Sequence, residues 1–384
     1  FAVFNSQRPR PVHISLPMDV QAELVDEIWE AVPLPARPAP DMALVDRAAE
    51  LLRGSKRPLI LPGGGATGAA ADLTAIAQAL GAAVIPSSAG KGIVPDDHPL
   101  SLSAAMGKPE VRDFAAKADV ILAVGTELAE TDSYVERMDL PGDIIRVDID
   151  PTKISDLYPP KIGIVGDTKH AMARLRKALE GGAAVCDPRP ELVQVRESIA
   201  ATLSPAERQH VRLTRIMDEV APEGTIWSAD ATQIAYTGLF SLPTRAPRHW
   251  MYPAGFCSLG NALPNAIGAM KARPGVPVAA MVGDGGFMFT MPEILVAAEQ
   301  GLSLPIVIWN NEALKQIRDD MDARGIDRVG IDGINPDFQM LARSCQCHAE
   351  CPGSEAEFRE VFAAAFRAGR PTLIEVREGS DWLL

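Results

Sequence analysis

The stretch GDGGFMFTMPEILVAAEQGLSLPIVIWNN, Gly283 to Asn311, contains two places suited to hold a hard metal ion. Asp284 directly follows the apolar run VPVAAMV, and the pair Asn310–Asn311 closes the next run, LPIVIWN. Carboxylate and carboxamide oxygens are hard ligands that suit Mg²⁺ rather than zinc or copper. Mg²⁺ takes six oxygens and usually fills the remaining positions with water and substrate phosphates. Gly283, Gly285 and Gly286 leave the backbone amides beside Asp284 uncovered, so a diphosphate can approach closely. Between the two runs, MPEILVAAEQG has helix length and proline in its first turn. Strand, helix, strand is a right-handed crossover, which sets the two strand ends side by side. Open α/β sheets bind ligands at such ends, and the helix adds its positive terminus. The stretch reads as a Mg²⁺–diphosphate anchor.

Two other clusters invite chemistry and support it less. Gly63, Gly65 and Gly68 fit G-x-G-x-x-G between a strand and a helix, as a dinucleotide site would. The following strand, AAVIPSS, lacks the acidic residue that would hold a ribose, so a tight strand-to-helix turn is the better reading. CQCHAEC groups Cys345, Cys347, His348 and Cys351, but zinc sites pair C-x₂₋₄-C with a distant second pair. A connection from the helix PDFQMLARS into a strand accounts for it without a metal.

Strand–helix alternation must position the anchor. MALVDRAAELLRGS reads as an amphipathic helix stopped by Gly54, RPLILPGGG as a buried strand, and AADLTAIAQALG as a helix ending at Gly81. AAVIPSS, DVILAVG and DIIRVDID are further strands, and GTIWSAD, VPVAAMVGDG, LPIVIWNN and RPTLIEVRE continue the series. Continuous apolar strands divided by helices indicate parallel sheets covered on both faces. RPVHISLP (Arg10–Pro17) reads as a short strand, the proline-rich AVPLPARPAPD as a linker, and EGGAAVCDPRPEL (Glu180–Leu192) as a second softening. The expected class is α/β, with two doubly wound parallel-sheet domains at 37–185 and 190–384 behind an entry segment, 1–36.

Composition narrows the partners. With 384 residues, 47% apolar and 23% charged, the chain is globular and long enough for two cores. A net charge of -13 without a basic block argues against nucleic acid. Five cysteines, odd in number and scattered, point to a reducing cytoplasm, and the absence of a long apolar run argues against a membrane span. The chain opens on Phe1 in a segment resembling neither a signal peptide nor a natural start, as if it began inside a longer protein.

G-D-G, 24 residues and N-N resemble the thiamine diphosphate signature of the 2-oxo acid decarboxylase and acetolactate synthase superfamily. RPRPVHISLPMDV is similar to the end of its pyrimidine-binding domain, LPGGGATG, GTELAE, VDIDP and VGD to its central domain. SADATQIA and GFCSLGNALPNAIGA are similar to its diphosphate-binding domain. The resemblance implies that Asp284, the Asn311 side chain and the Ala313 carbonyl bind Mg²⁺. It places Gly283, Gly285, Gly286 and Phe287 along the diphosphate, with Thr232 and Gln233 near its far end. Leu259 would wedge the cofactor into a V, and the Cys257 carbonyl would accept from its aminopyrimidine. The glutamate that activates the cofactor belongs to the pyrimidine-binding domain and is absent from these residues. Glu293 is no substitute, so this chain alone is expected to be inactive.

The resemblance also implies a homodimer or homotetramer and a small 2-oxo acid substrate. EALKQIRDDMDARGIDRVGIDGINPDF resembles decarboxylases of 5-guanidino-2-oxopentanoate. Asp319, Asp320 and Asp322 there could pair with a guanidinium, although a solvated helix face explains each one singly. GTELAETDS lacks the arginine that accompanies FAD in acetolactate synthases, which argues against FAD or ADP in the central domain. An acetolactate synthase-type carboligase and a non-catalytic cofactor-binding partner are the competing readings.

Overall fold

Uninterrupted apolar runs form strands here because helices cover both faces of each sheet. A computed structural model describes residues 1–5, 8–181 and 187–384. The first sheet contains β1 (Pro58–Pro62), β2 (Ala83–Val84), β3 (Val120–Val124), β4 (Asp143–Asp148) and β5 (Ile162–Val165), in the order β2-β1-β3-β4-β5. The second contains β6 (Ile226–Ala229), β7 (Trp250–Met251), β8 (Val278–Gly283), β9 (Pro305–Asn310), β10 (His348–Glu350) and β11 (Thr372–Arg377), in the order β10-β11-β9-β8-β6-β7. All pairings are parallel. Every residue of β1, β3, β8 and β9 is buried. The two faces of each sheet pack into separate apolar clusters.

Helix boundaries follow local chemistry. The Asp41 side chain accepts from Ala43 and Leu44 N–H to start the helix Met42–Arg53, which stops at Gly54. Helix Ala70–Leu80 ends on Gly81, at φ +64°. Gly63 and Gly65 follow β1 at the point where the first sheet's strand order reverses. A Cβ on Gly63 would stand 2.3 Å from the Gly125 carbonyl oxygen, so the glycine motif there answers a backbone-to-backbone approach.

Several expectations need correction. Arg10–Pro17 forms no strand; it is exposed, and a short 3₁₀ turn, Val20–Ala22, follows it. Its prolines remove ladder donors, and its anchor is ionic, Arg10 to Asp150 at 2.6 Å. The second softening is shorter than read, because helix Arg189–Thr202 starts inside it, and residues 182–186 lie outside the described residues. Strands β5, β7 and β10 were not foreseen, being short or only partly buried. The β8–β9 connection is two helices, Asp284–Thr290 and Glu293–Glu299, with Pro292 capping the second. Gly285 and Gly286 therefore lie within a first helical turn.

A buried cation joins the two sheets. Lys91 is 1% exposed, and its Nζ donates to Asp96, to Ser103 Oγ at 2.8 Å and to the Leu239 carbonyl at 2.9 Å. It also sits 5.6 Å from the centre of the Trp250 ring. Asp96 Oδ2 accepts from Thr244 N–H at 2.8 Å, while its Oδ1 is buried without a partner. Lys91 and Asp96 precede β3, whereas Leu239, Thr244 and Trp250 belong to the second sheet's layers. Burial lowers the Lys91 pKa, and Asp96 opposes that shift. Removing one member of a buried pair strands the other charge. Lys91→Ala should therefore cost about 3–5 kcal/mol in denaturant unfolding. A loss below about 1 kcal/mol, the value of an exposed pair, would contradict this role for the junction.

Candidate functional site

The second sheet reverses direction between β6 and β8, and the candidate site is built at the carboxyl ends of these strands and of β9. Asp230 follows β6, is fully buried, and accepts from the Gly260 and Ala262 N–H groups at 3.0 and 2.8 Å. It thereby ties the loop before helix Ala262–Ala272 over the reversal point. β8 ends at Gly283, which lies in register with Trp309 of β9. Asp284 and Asn310–Asn311 consequently emerge beside one another, as their spacing requires.

Asp284 is 2% exposed. Burial raises the pKa of its carboxyl group; the Asn335 amide and the backbone N–H groups of Gly285 and Ala313 pull the other way. Asn335 Nδ2 donates to Asp284 Oδ2 at 2.7 Å and to Asn310 Oδ1 at 3.0 Å. Asn310 is also held from below, donating to Glu375 Oε1 at 2.9 Å. Glu375, 3% exposed on β11, accepts from Arg377 and Gln339 as well. Asn310 is thus a strut whose polar atoms are in use. Asn311 differs: its Oδ1 is buried and has no partner.

A buried acceptor without a donor costs about 1–3 kcal/mol, which a cation beside it would remove. The residues present fit Mg²⁺ on that ground. Asp284 supplies the charge, Asn311 the unused oxygen, and Ala313, brought close by the turn at Glu312 (φ +59°), a backbone carbonyl. Among the described residues no three His, Cys, Asp or Glu side chains converge on a metal position. A cation here would therefore lean on amide and carbonyl oxygens.

The other expected residues separate into groups. A Cβ on Gly283 would meet Thr232 Oγ1 at 2.7 Å, one on Gly285 would meet Leu314 at 2.7 Å, and one on Gly286 would meet Asp230 Oδ2 at 2.8 Å. Neighbouring side chains occupy the space that a Cβ at these glycines would take. Phe287 is 1% exposed, with its ring edge-on to Phe338 at 6.0 Å, so its backbone alone is left for a cofactor role. Leu259 is half-buried and outside every core cluster. Cys257 is exposed at φ +48° on the loop that Asp230 holds. Cys345 and Cys347 pack into an apolar core, and burial pushes the Cys347 thiol up to about 11. Asn335 and Glu375 were missed, although a lone acid in the apolar strand TLIEVR was a visible signal for the second.

A cavity of about 350 Å³ lies between the two sheets' layers, with Lys315, two residues beyond Ala313, in its wall. Its walls include Asp132, Tyr134, His210, Gln233, Tyr236 and Asp319. The three candidate acids on helix Lys315–Ala323 part company here. Asp322 pairs with Arg328, Asp320 accepts from Gln316 one turn away, and Asp319 reaches Gln233 Nε2 at 3.1 Å in the cavity wall. His210 is 2% exposed, its ring edge-on to Trp309, and Nδ1 lies 2.9 Å from Thr237 Oγ1.

Two parallel sheets, the second with an acid and an unused amide oxygen at its reversal point, define an α/β protein with a candidate ligand site at its strand ends. Residues 45–175 match the family model "Thiamine pyrophosphate enzyme, central domain", and residues 230–376 match "Thiamine pyrophosphate enzyme, C-terminal TPP binding domain". The probable 2-ketoarginine decarboxylase AruI of Pseudomonas aeruginosa is 40% identical over 382 residues, covering 98% of this chain and 68% of that protein. A probable acetolactate synthase large subunit of Methanocaldococcus jannaschii is 28% identical over 98% of this chain and 68% of its own length. Glyoxylate carboligase of Escherichia coli O157:H7 is 28% identical over 91% of this chain and 63% of its own length. The chain belongs to the thiamine pyrophosphate enzyme family, and it is an enzyme of that family's lyase and carboligase type. Among the described residues, no helix is long and apolar enough to cross a membrane.

One wall residue makes stability pH-dependent. Burial depresses the His210 pKa to about 4, with Glu207 opposing and Lys315 assisting. Between about 4 and the ordinary 6.5 the unfolded chain binds a proton that the folded chain does not. Its contribution is therefore complete above pH 6.5 and lost as pH falls toward 4, to a total on the order of 3 kcal/mol. Denaturant unfolding at pH 7 and pH 4.5 should show a smaller pH-dependent loss in His210→Gln than in wild type. Equal losses would refute the assignment.

Proposed function

We propose that this chain binds thiamine diphosphate through Mg²⁺ and serves the decarboxylation of 5-guanidino-2-oxopentanoate to 4-guanidinobutanal and CO₂. The observation that carries the cofactor part is the pairing of buried Asp284 with the partnerless Asn311 oxygen at adjacent strand ends. The substrate part rests on the 40% identity to a probable 2-ketoarginine decarboxylase. When bound, thiamine diphosphate supplies the electron sink that lets a 2-oxo acid release CO₂.

The chain's own residues hold and orient. Asp284, Asn311 and the Ala313 carbonyl would take Mg²⁺, which in turn would fix the diphosphate along Gly283, Gly285, Gly286 and the Phe287 backbone. Thr232 and Gln233 would bound its far end. Leu259 would support the ring system, and the Cys257 carbonyl would accept a hydrogen bond from its amino group. The division into an entry segment (1–36), a central unit (37–185) and a diphosphate unit (190–384), a homodimeric or homotetrameric assembly and a cytoplasmic site belong to the same reading.

In the complete protein, Asp284→Ala should weaken Mg²⁺-dependent thiamine diphosphate binding by more than ~100-fold, beyond the usual cost of losing an outer-shell partner. Tryptophan fluorescence titration reads this directly, and unchanged affinity would sink the anchor assignment. A 2-oxo acid panel reads the reaction: CO₂ with an aldehyde supports the decarboxylase, whereas acetolactate from pyruvate would establish the carboligase instead. Cofactor binding with no turnover of any 2-oxo acid would favour a non-catalytic partner.

A further inference from the structure

The cavity between the sheets has spare acceptors and no spare cation. Lys108 is paired with Glu207 and lies 4.7 Å from the centre of the Phe240 ring; Lys315 is paired with Glu378. Asp132 and Asp319, by contrast, have no ion-pair partner among the described residues. Asp132 Oδ1 accepts the Ser88 N–H at 2.8 Å, and burial raises its pKa against the Ser88 hydrogen bonds. Gln233 spends its Nε2 on Gln316 and Asp319, which leaves Oε1 buried without a partner. His210, 2% exposed, likewise has a partnerless Nε2, a free acceptor in the tautomer that donates from Nδ1 to Thr237.

We propose that this cavity receives the cationic tail of the substrate, a planar guanidinium, with Asp132 on one wall and Asp319 on another as the carboxylates that select it. A guanidinium presents five N–H donors in a fixed plane, matching dispersed acceptors better than a compact ammonium does. Tyr134 and Tyr236 add flat aromatic faces of the kind on which guanidinium groups stack. The volume of about 350 Å³ is within the range of small-molecule sites. The cavity also adjoins the anchor. Gln233 follows Thr232, which packs against Gly283, and both tyrosines lie within electrostatic reach of Cys257. Asp132 comes from the first sheet's layers and Asp319 from the second's, so selectivity would depend on how the two are joined.

This assignment rests on the decarboxylase reading, and two measurements on the complete, cofactor-loaded protein separate them. The first compares kcat/KM for 5-guanidino-2-oxopentanoate with that for 5-ureido-2-oxopentanoate, its neutral isostere. Asp132→Asn should lower the guanidino-to-ureido ratio by ~10- to 100-fold, mainly through KM, as loss of a charged hydrogen bond does. Asp319→Asn should lower it in the same direction, which keeps the test alive if the first variant folds poorly. An unchanged ratio in both variants would overturn the pocket while leaving the decarboxylase standing. The second is calorimetric titration with 4-guanidinobutanoate, which has no 2-oxo group to decarboxylate. Binding that weakens at least ~10-fold in Asp132→Asn supports the pocket, and binding equal to wild type, or absent from wild type, overturns it. Asp132-dependent binding without turnover of the guanidino acid would sink the decarboxylase reading alone.

Discussion

A buried carboxylate and a partnerless buried carboxamide oxygen at neighbouring strand ends are costly to leave without a donor or a cation beside them. Asp284 and Asn311 occupy that position at the ends of two neighbouring parallel strands, and the surrounding structure fixes them there. Backbone amides and Asn335 steady Asp284 without neutralising it, since burial still raises its pKa. Glu375 anchors Asn310, and that fixes the strand end from which Asn311 projects. Glycines at 283, 285 and 286 let Thr232, Leu314 and Asp230 close around the turn.

The second requirement is that the two sheets keep their mutual position. Lys91, 1% exposed, satisfies three acceptors drawn from both layers. Gly92, at φ +81°, allows that approach: a Cβ there would lie 2.4 Å from the Ala246 carbonyl oxygen. Leu239, whose carbonyl accepts from Lys91, also lines the cavity walled by Asp132 and Asp319. In the proposed reading, binding of the cofactor and selection of the substrate tail would draw on different parts of the fold.

Much of this was legible in the sequence where the signal was local. Parallel strands need continuous apolar runs, so β1, β3, β4, β8, β9 and β11 could be read directly. β7 and β10 could not, because short edge strands carry too few residues to show a pattern. The helix reads from Met291 onward in the sequence, whereas the chain turns helical at once from Asp284. That Asp284 and Asn310–Asn311 follow neighbouring strands was legible from the strand–helix–strand spacing. Asn335, Glu375, Asp132 and His210 come from separate segments, and only tertiary packing brings them to the site. Asp319, Asp320 and Asp322 looked equivalent in sequence; helix orientation and the Arg328 pair distinguish them.

The most direct measurement is an anomalous diffraction map of the complete protein crystallised with thiamine diphosphate and Mn²⁺ in place of Mg²⁺. The account predicts one strong peak bounded by the Asp284 carboxylate and Asn311 Oδ1, with diphosphate oxygens on its open side. A peak elsewhere, or a bound diphosphate with Asn311 Oδ1 still lacking any partner, would contradict it.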